Sequence, residues 1–221
     1  MAEKKNEEAD KPEKKKSVIM RNLMWLALLA LAVLGGLTFL TFDPQSLTDI
    51  EGYREEARLT APAGRDVGKV LDAALKGGHT ATITEKEINN YILRTLKLEQ
   101  DGAFKDYVEL KGVWVRLEDG VAEVIIEREL MGKRRHTLAM RLSIVQTVGA
   151  DGQVGTEIKP VAGRFGRTRV PQGYLHLVLE SFESLGRGYG GELDILKKMF
   201  RGMTRVTIGD GELVLTPPEE I

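Results

Sequence analysis

The stretch that decides the fold is Tyr107–Val148, YVELKGVWVRLEDGVAEVIIERELMGKRRHTLAMRLSIVQTV. It contains three runs in which apolar and polar residues alternate, which is the pattern of half-buried β-strands. Asp119-Gly120 separates the first two runs and Met131-Gly132 the next two, and such pairs are typical of tight hairpin turns. A fourth run, Gln153–Val161, follows Asp151-Gly152. The sequence therefore predicts an antiparallel meander of four strands.

Amphipathic helices are predicted before and after this meander in the chain. Thr84-Glu85-Lys86-Glu87 has the pattern of a capping box, in which the Thr hydroxyl and the Glu carboxylate satisfy free amides at a helix start. The residues on one face of the helix that follows are Ile88, Tyr91, Ile92, Thr95 and Leu96. Downstream, Pro171 suits the first turn of a long helix. The wide apolar stripe of that helix consists of Tyr174, Leu175, Val178, Leu179, Phe182 and Leu185.

Shorter elements complete the chain. The remaining predicted elements are helices over Gln45–Arg58, Arg65–Lys76 and Glu192–Met203, a strand over His79–Ile83, and a closing hairpin of Arg205–Ile208 and Glu212–Thr216. An order of helix, meander, long helix and final strands predicts an α+β fold. We expect one domain in which a curved antiparallel meander sheet wraps the long amphipathic helix.

Upstream of the domain, Asn22–Phe42 is twenty-one residues long and carries no charge. A helix of that length covers about 30 Å, which is the thickness of the hydrocarbon core of a bilayer. A cleaved signal peptide is the alternative. The apolar region of a signal peptide is shorter, roughly 7–15 residues, and ends at a cleavage site of small residues. In Asn22–Phe42 the small residues of Ala30-Leu31-Ala32 lie in the middle of the apolar run. The sequence therefore predicts a retained, single-pass transmembrane helix that acts as a signal anchor.

Charges on the two sides of this span predict its orientation. The basic residues directly before it are Lys14, Lys15, Lys16 and Arg21, whereas Asp43 and Asp49 follow it. Because cytoplasmic segments carry the excess of Lys and Arg, we expect the N-terminus in the cytoplasm and the span in the inner (plasma) membrane. The predicted layout is a disordered cytoplasmic tail over 1–17, the transmembrane helix over 18–42, a helical connector over 43–76 and an extracytoplasmic (periplasmic) α+β domain over 77–221.

The composition narrows the classes of function. The 221-residue chain has 32 basic and 33 acidic residues, mixed along its length, and a net charge of −1. That balance argues against nucleic acid as a partner. The chain contains no cysteine, which excludes a disulfide framework, a thiol nucleophile and a Cys-based zinc site.

No motif in the chain predicts catalysis, a metal or a cofactor. Gly186–Gly191, GRGYGG, matches G-x-G-x-x-G, but a predicted helix precedes it where a dinucleotide site needs a parallel strand, so a hinge between two helical segments is favoured. His79, His136 and His176 have no second ligand at a metal-binding spacing. G-x-S-x-G and S-x-x-K patterns do not occur. We therefore expect no catalytic residue, no metal ligand and no cofactor.

Candidate ligand-binding residues lie on the two main predicted helices and in one loop. The helical candidates are Ile88, Tyr91, Ile92, Tyr174, Val178 and Phe182. Two amphipathic helices against one sheet normally form a core, but a half-closed sheet can leave an apolar groove, and periodicity does not separate the two. Arg164, Arg167 and Arg169, before the long helix, are candidates for binding phosphate head groups, as is the hairpin tip Lys133-Arg134-Arg135. The alternative for both loops is a solvent-exposed turn whose basic residues pair with nearby glutamates instead of head groups.

Two motifs, in this order after an N-terminal span, resemble the YpmS-like bacterial membrane-anchored proteins, which are related to the TULIP-like (tubular lipid-binding) domains. Ile83–Ile92, ITEKEINNYI, matches the helix start Thr/Ser-Glu-x-Glu-x-Asn of that family. The second motif of that family is a loop, Gly-x-aliphatic-Pro-aliphatic-Pro. Gly163–Pro171, GRFGRTRVP, matches it only at Gly166 and Pro171. The resemblance covers Gly77–Thr216. It implies a half-barrel wrapped on a long helix, a groove for acyl chains, and a role in holding or moving lipid at the cell envelope.

These observations predict a non-enzymatic, membrane-anchored domain that binds lipid or another apolar ligand in the cell envelope. The expected partners are the membrane, a lipid ligand and an envelope protein. An interaction or scaffold subunit of an envelope complex, with a fully packed core, is the alternative. An envelope hydrolase that uses carboxylates is a third, less favoured interpretation.

Overall fold

The computed structural model describes residues 13–53, 64–95, 107–148, 154–188 and 202–218. The elements in chain order are α1 (Glu13–Phe42), α2 (Val67–Gly77), β1 (Ala81–Thr84), α3 (Glu85–Thr95), β2 (Val108–Glu118), β3 (Val121–Leu130), β4 (Arg134–Val148), β5 (Val154–Phe165), β6 (Thr168–Val170), a short 3-10 turn (Gln172–Tyr174), α4 (Leu175–Gly188), β7 (Arg205–Ile208) and β8 (Glu212–Thr216). The chain divides into two compact units, Met1–Leu40 and Thr41–Ile221.

The first unit contains most of the predicted span. The 24 residues Ile19–Phe42 form a helix that is long and apolar enough to cross a membrane. The Thr38 hydroxyl donates a hydrogen bond to the Leu34 carbonyl at 2.8 Å, so it needs no water partner in an apolar environment. Such a helix near the N-terminus suggests a membrane anchor or a signal sequence.

In the second unit, the predicted meander is present as a five-stranded antiparallel sheet in the order β2-β3-β4-β5-β6. Met131 (φ 52°) and Gly132 (φ 63°) both have positive φ in the β3–β4 turn, as a type I′ hairpin requires. β5 continues to Phe165, beyond the predicted end at Val161, because it pairs with β6 around a turn at Gly166 (φ 53°). The predicted Asp151-Gly152 turn lies outside the described residues.

A second, three-stranded sheet has the order β1-β8-β7. The closing hairpin β7–β8 is confirmed, and β1 adds to it in antiparallel fashion, with Ile83 opposite Leu213. Side chains from this sheet, α2 and the end of β2 share one apolar cluster, which includes Leu71, Ile83, Leu117 and Leu215. The N-terminal and C-terminal parts of the domain therefore form a single core.

The five-stranded sheet has two covered faces. The helix face carries Val113, Ile126 and Leu138, which pack against Val178 of α4. The outer face carries Trp114, Ile125 and Ala139, which pack against Leu47 and Ile50 of the segment after α1. Within the described residues the sheet stays open, since β2 and β6 are its two edges. The α+β class is confirmed, but the structure does not confirm a sheet that wraps the long helix.

The segment after α1 replaces the helix predicted from Gln45. Residues 45–53 form turns, with bonds from Ile50 N to Leu47 O and from Tyr53 N to Ile50 O, both 3.1 Å. The prediction fails there because Leu47 and Ile50 pack onto the outer face of the sheet, where they are 1% and 4% exposed. Residues 54–58 of that prediction lie outside the described residues. The compact unit that holds the sheets begins at Thr41, upstream of the boundary expected at residue 77.

Helix α3 begins with the predicted capping box. The Thr84 amide donates to Glu87 Oε2 at 3.0 Å, and the Glu87 amide donates to Thr84 Oγ1 at 3.3 Å. Arg65 donates to both Glu87 oxygens from the segment before α2. The second predicted helical segment, from Glu192, falls outside the described residues as far as Arg201, as do residues 189–191 of the glycine motif, whereas α4 extends to Gly188.

Replacing Glu87 with glutamine is expected to lower stability at neutral pH by less than about 1 kcal/mol, because glutamine can keep the capping bonds with Thr84 but loses the ion pair with the exposed Arg65. Hydrogen bonding from Arg65, together with bonds from Thr84, lowers the pKa of Glu87 to about 2 from its ordinary 4.5. Because the folded-state pKa is depressed, this contribution is present above about pH 4.5 and is lost as the pH falls towards 2. Thermal unfolding of the full chain between pH 2 and 7 measures it.

The matched control for this change is Asp72→Asn, which removes an exposed ion pair with Lys76. We expect it to leave the midpoint near that of the wild type. The assignment to Glu87 would be wrong if Glu87→Gln kept the full acid dependence of the wild type below pH 4.5.

Candidate functional site

The helical site candidates separate into two groups. Ile88, Tyr91 and Ile92 of α3 are half-buried against the cluster shared by α2 and the three-stranded sheet. Val178 of α4 is fully buried on the helix face, where Phe182 packs beside it. Ile92 also packs against this second cluster, so it lies between the two groups. Tyr174 ends the 3-10 turn before α4, is 59% exposed and does not join either cluster.

Helix α4 approaches the sheet closely at Gly163 of β5. A Cβ atom added there would lie 3.0 Å from Leu175 Cδ2 and 3.1 Å from Val178 Cγ2. Both distances are shorter than ordinary van der Waals contact, so the missing side chain allows α4 to seat Val178 against the sheet. This glycine therefore sets the spacing between α4 and the helix face.

The three predicted head-group arginines do not act as one group. Arg164 lies on the outer face, where its Nη1 is 3.7 Å from Glu123 Oε1 and 3.5 Å from Gln45 Oε1. Arg167 is in the β5–β6 turn, 59% exposed, and its Nε is 3.1 Å from Asp43 Oδ2. Arg169 is exposed on β6. Arg164 is thus engaged with an internal carboxylate, whereas the other two face outwards.

A buried ion pair holds the segment after α1 on the outer face. Glu123 is 1% exposed and accepts a hydrogen bond from Arg116 Nη1 at 2.6 Å. Arg116 Nη2 reaches Asp49 Oδ1 at 2.9 Å and the Ser46 carbonyl at 3.2 Å. The alternation of β3 predicts a wet face with exposed glutamates, but the segment covers it. This network therefore holds the segment after α1 against the sheet.

The other face of β3 carries a cation with no carboxylate beside it among the described residues. Arg128 follows Val124 and Ile126 on the helix face, opposite Leu110 of β2 and His136 of β4. Its Nε and Nη2 atoms are buried and make no hydrogen bond. Each such buried donor raises the free energy of the folded protein unless something else satisfies it.

Strand alternation explains why no carboxylate of the neighbouring described strands reaches Arg128. Its neighbours Glu127 and Glu129 point to the outer face, where Glu127 meets Trp114 and Arg135, and Glu129 meets Lys111. On the described strands of the five-stranded sheet, the helix face holds one other charged residue, Arg134, which is exposed at the start of β4. We call Arg128, Arg134 and His136 the cationic end of the helix face.

Burial lowers the pKa of both Arg128 and His136, but it leaves them in different charge states at neutral pH. It lowers the pKa of Arg128 to about 10, so the guanidinium remains a cation at neutral pH. Burial, and secondly the charge of Arg128, lowers the pKa of His136, against the effect of a hydrogen bond with the Thr41 backbone. The imidazole is therefore neutral at pH 7, with its ring 6.1 Å from Phe42 and 6.5 Å from Phe165.

The cationic end lies where the chain leaves the apolar helix. Thr41 and Phe42 are the last residues of α1 and belong to the second unit. Thr41 Oγ1 donates to Thr168 Oγ1 at 3.3 Å, and Phe42 contacts His136. Sequence reasoning missed Arg128, although its signal is present: it is the one charged residue at the alternate, otherwise apolar positions 122–130 of β3.

Comparison of the chain with models of known protein families, with curated proteins and with solved structures gives no match. In the part of the chain that the structure describes, no three His, Asp or Glu side chains come together as a metal site would require. The fold and the site therefore define an α+β domain that follows an N-terminal apolar helix and has one cationic end on its helix face.

Proposed function

We propose that this chain is a non-enzymatic, single-pass membrane protein whose extracytoplasmic domain binds lipid or another apolar ligand in the cell envelope. The basic residues before the span favour this orientation. The resemblance of ITEKEINNYI and GRFGRTRVP to the YpmS-like proteins favours the same function.

One observation carries the proposal: Phe42, at the end of α1, contacts His136, which lies on the same side of β4 as Leu138 of the apolar cluster. If α1 spans a bilayer, Phe42 lies where the span meets the polar surface, so an acyl chain leaving the bilayer meets the cluster at that point. Arg167, in the β5–β6 turn, and Arg169, on β6, are both exposed. Thr168 lies between them and contacts Thr41 at the end of α1. Cations at that position suit lipid head groups.

Photolabelling of the full chain in phosphatidylcholine nanodiscs tests this function. A trace of fatty acid with a diazirine in its acyl chain is added, the sample is irradiated, and tryptic peptides are mapped by mass spectrometry. We expect label on the peptide 170–187, at Val178 and Phe182, in addition to label on the span.

A pair of variants on α4 separates binding inside the domain from contact with its surface. Val178→Phe adds bulk at a fully buried position, where it should compete with the acyl chain and reduce the label on this peptide several-fold, whereas Leu177→Phe makes a similar change at a position that is 48% exposed. Thermal unfolding checks that both variants fold; if Val178→Phe does not, the wild-type map decides alone. Label confined to the span in the wild type would overturn the proposal.

The second candidate function is an interaction or scaffold subunit of an envelope complex. Tyr174, at the end of the 3-10 turn, and Leu177, in the first turn of α4, are 59% and 48% exposed and give this part of the surface an apolar character. A partner protein could bury them. Stoichiometric co-purification that Leu177→Lys abolishes, together with no acyl label inside the domain, would favour this function over the first.

A further inference from the structure

We propose that the cationic end of the helix face binds the oxyanion head of a single-chain amphiphile, a carboxylate or a phosphate, whose acyl chain packs along the helix face. Arg128 is the residue that contacts the oxyanion, and Arg134 and His136 complete the site. This inference rests on the proposed function and adds the chemical class of the ligand.

The first argument is that Arg128 has a role that its fold does not supply. Arg128 is half-buried, but two of its nitrogens are buried without a hydrogen bond; this destabilises the folded protein, and a well-packed apolar residue at the same position would be as stable or more so. On its own side of the sheet, the neighbours of Arg128 are Ile126 and Leu130 along β3 and Leu110 and His136 across it, so the described strands place no acid beside it. An oxyanion ligand would satisfy the donors in the bidentate geometry that Arg favours.

The second argument is the position of Arg128 at the border between polar and apolar surroundings. Along β3 it follows Ile126, which is 1% exposed, and across the sheet it lies between Leu110 and His136. Beyond it on the same face come Arg134 and the exposed β3–β4 turn. A molecule with one charged end and one apolar chain would contact both the polar and the apolar part of this face. A free inorganic ion would contact only the polar part.

The third argument is that the neighbouring imidazole is compatible with an anion on the cation. His136 is buried and neutral at pH 7, as its lowered pKa indicates. Its ring contacts Phe42 and Phe165, and one of its nitrogens bonds the Thr41 backbone, so it offers an apolar wall and at most one nitrogen to a ligand. Thr168, close to the end of α1, adds a hydroxyl on the same face.

Competition in the nanodisc photolabelling assay tests the inference. Label on the peptide 170–187 is measured against increasing oleate, oleoyl lysophosphatidate or oleyl alcohol, which share a chain and differ in the head. We expect the two anions to displace the probe at about 10-fold lower concentration, or less, than the alcohol, because a charged hydrogen bond is lost with the alcohol. The more effective of the two anions identifies the head as carboxylate or phosphate.

Arg128→Met should remove this preference, and Arg128→Lys should keep part of it. The matched control is Arg141→Met, since Arg141 lies on the outer face of β4 in an ion pair with Glu118. It should keep the full preference. Without added amphiphile, Arg128→Met should leave the unfolding midpoint unchanged or raise it by about 2–4 °C, because it removes an unpaired buried cation.

The outcomes separate this inference from the proposed function. If all three competitors act equally on the wild type, or Arg128→Met keeps the preference, the domain still binds acyl chains but the oxyanion site is wrong. If Arg128→Met fails to fold or melts clearly lower than the wild type, Arg128 has a structural role and the inference is likewise wrong. If the peptide takes no label in the wild type, both proposals fall.

Discussion

Replacing Trp114 with alanine is expected to lower the free energy of unfolding by about 4 kcal/mol. The indole is fully buried between the outer face and the segment after α1, among Leu47, Ile50 and Ile125. Its Nε1 donates to Glu127 Oε2 at 3.0 Å, and Tyr53 meets its ring edge-on at 4.9 Å. Alanine would leave a cavity, a carboxylate with one donor fewer and an apolar segment with little to cover.

Urea unfolding of the full chain, followed by circular dichroism, measures this effect. Trp25 is the natural control because it is the only other tryptophan and is 63% exposed on α1. Trp25→Ala should leave the unfolding of the domain unchanged. A loss below about 1 kcal/mol for Trp114→Ala would show that the segment after α1 does not belong to the cooperative core.

Replacing Asn89 with alanine is expected to cost about 3 kcal/mol, from three hydrogen bonds lost at one buried site. Its Oδ1 accepts from the Val115 amide at 2.7 Å, and its Nδ2 donates to the carbonyls of Val115 at 2.8 Å and Glu51 at 2.9 Å. One turn earlier on α3, Glu85 accepts from the amides of Leu117 at 2.6 Å and Glu51 at 2.7 Å.

The spacing of the two side chains explains why they fit the edge of the sheet. Four residues of helix rise about 6 Å, and two residues of strand span about 6.6 Å. Glu85 and Asn89 therefore reach Leu117 and Val115, which are alternate residues on the free edge of β2. The side chains of α3 satisfy an edge that would otherwise have unpaired backbone groups.

Asn90 is the matched control for this prediction. It is the next residue, of the same type and 6% exposed, but its Oδ1 makes no hydrogen bond. Asn90→Ala should cost less than about 1 kcal/mol, and hydrogen exchange at the Val115 amide should accelerate only in Asn89→Ala. Equal effects of the two changes would contradict the edge-docking role of Asn89.

The candidate site was predictable only in part. Val178, Phe182 and Ile92 were selected as apolar helix positions, and they do lie at the cluster on the helix face. Tyr174 was selected by the same periodicity but is exposed, because a helical stripe does not say how far the neighbouring sheet extends. Arg128 was not selected, since a cation on a strand becomes notable only when its side of the sheet is known to be covered.

What the sequence by itself determined is local: the meander and its turns, the capping box at Thr84, the closing hairpin and the long apolar helix. These depend on residues near one another in the chain, where alternation, capping and turn preferences act directly. Only the tertiary structure decided which segment covers the outer face, that β1 joins the closing hairpin, that Glu85 and Asn89 bind the edge of β2, and that Arg128 is buried without a carboxylate. Each of these depends on contacts between distant parts of the chain, and no local pattern specifies them.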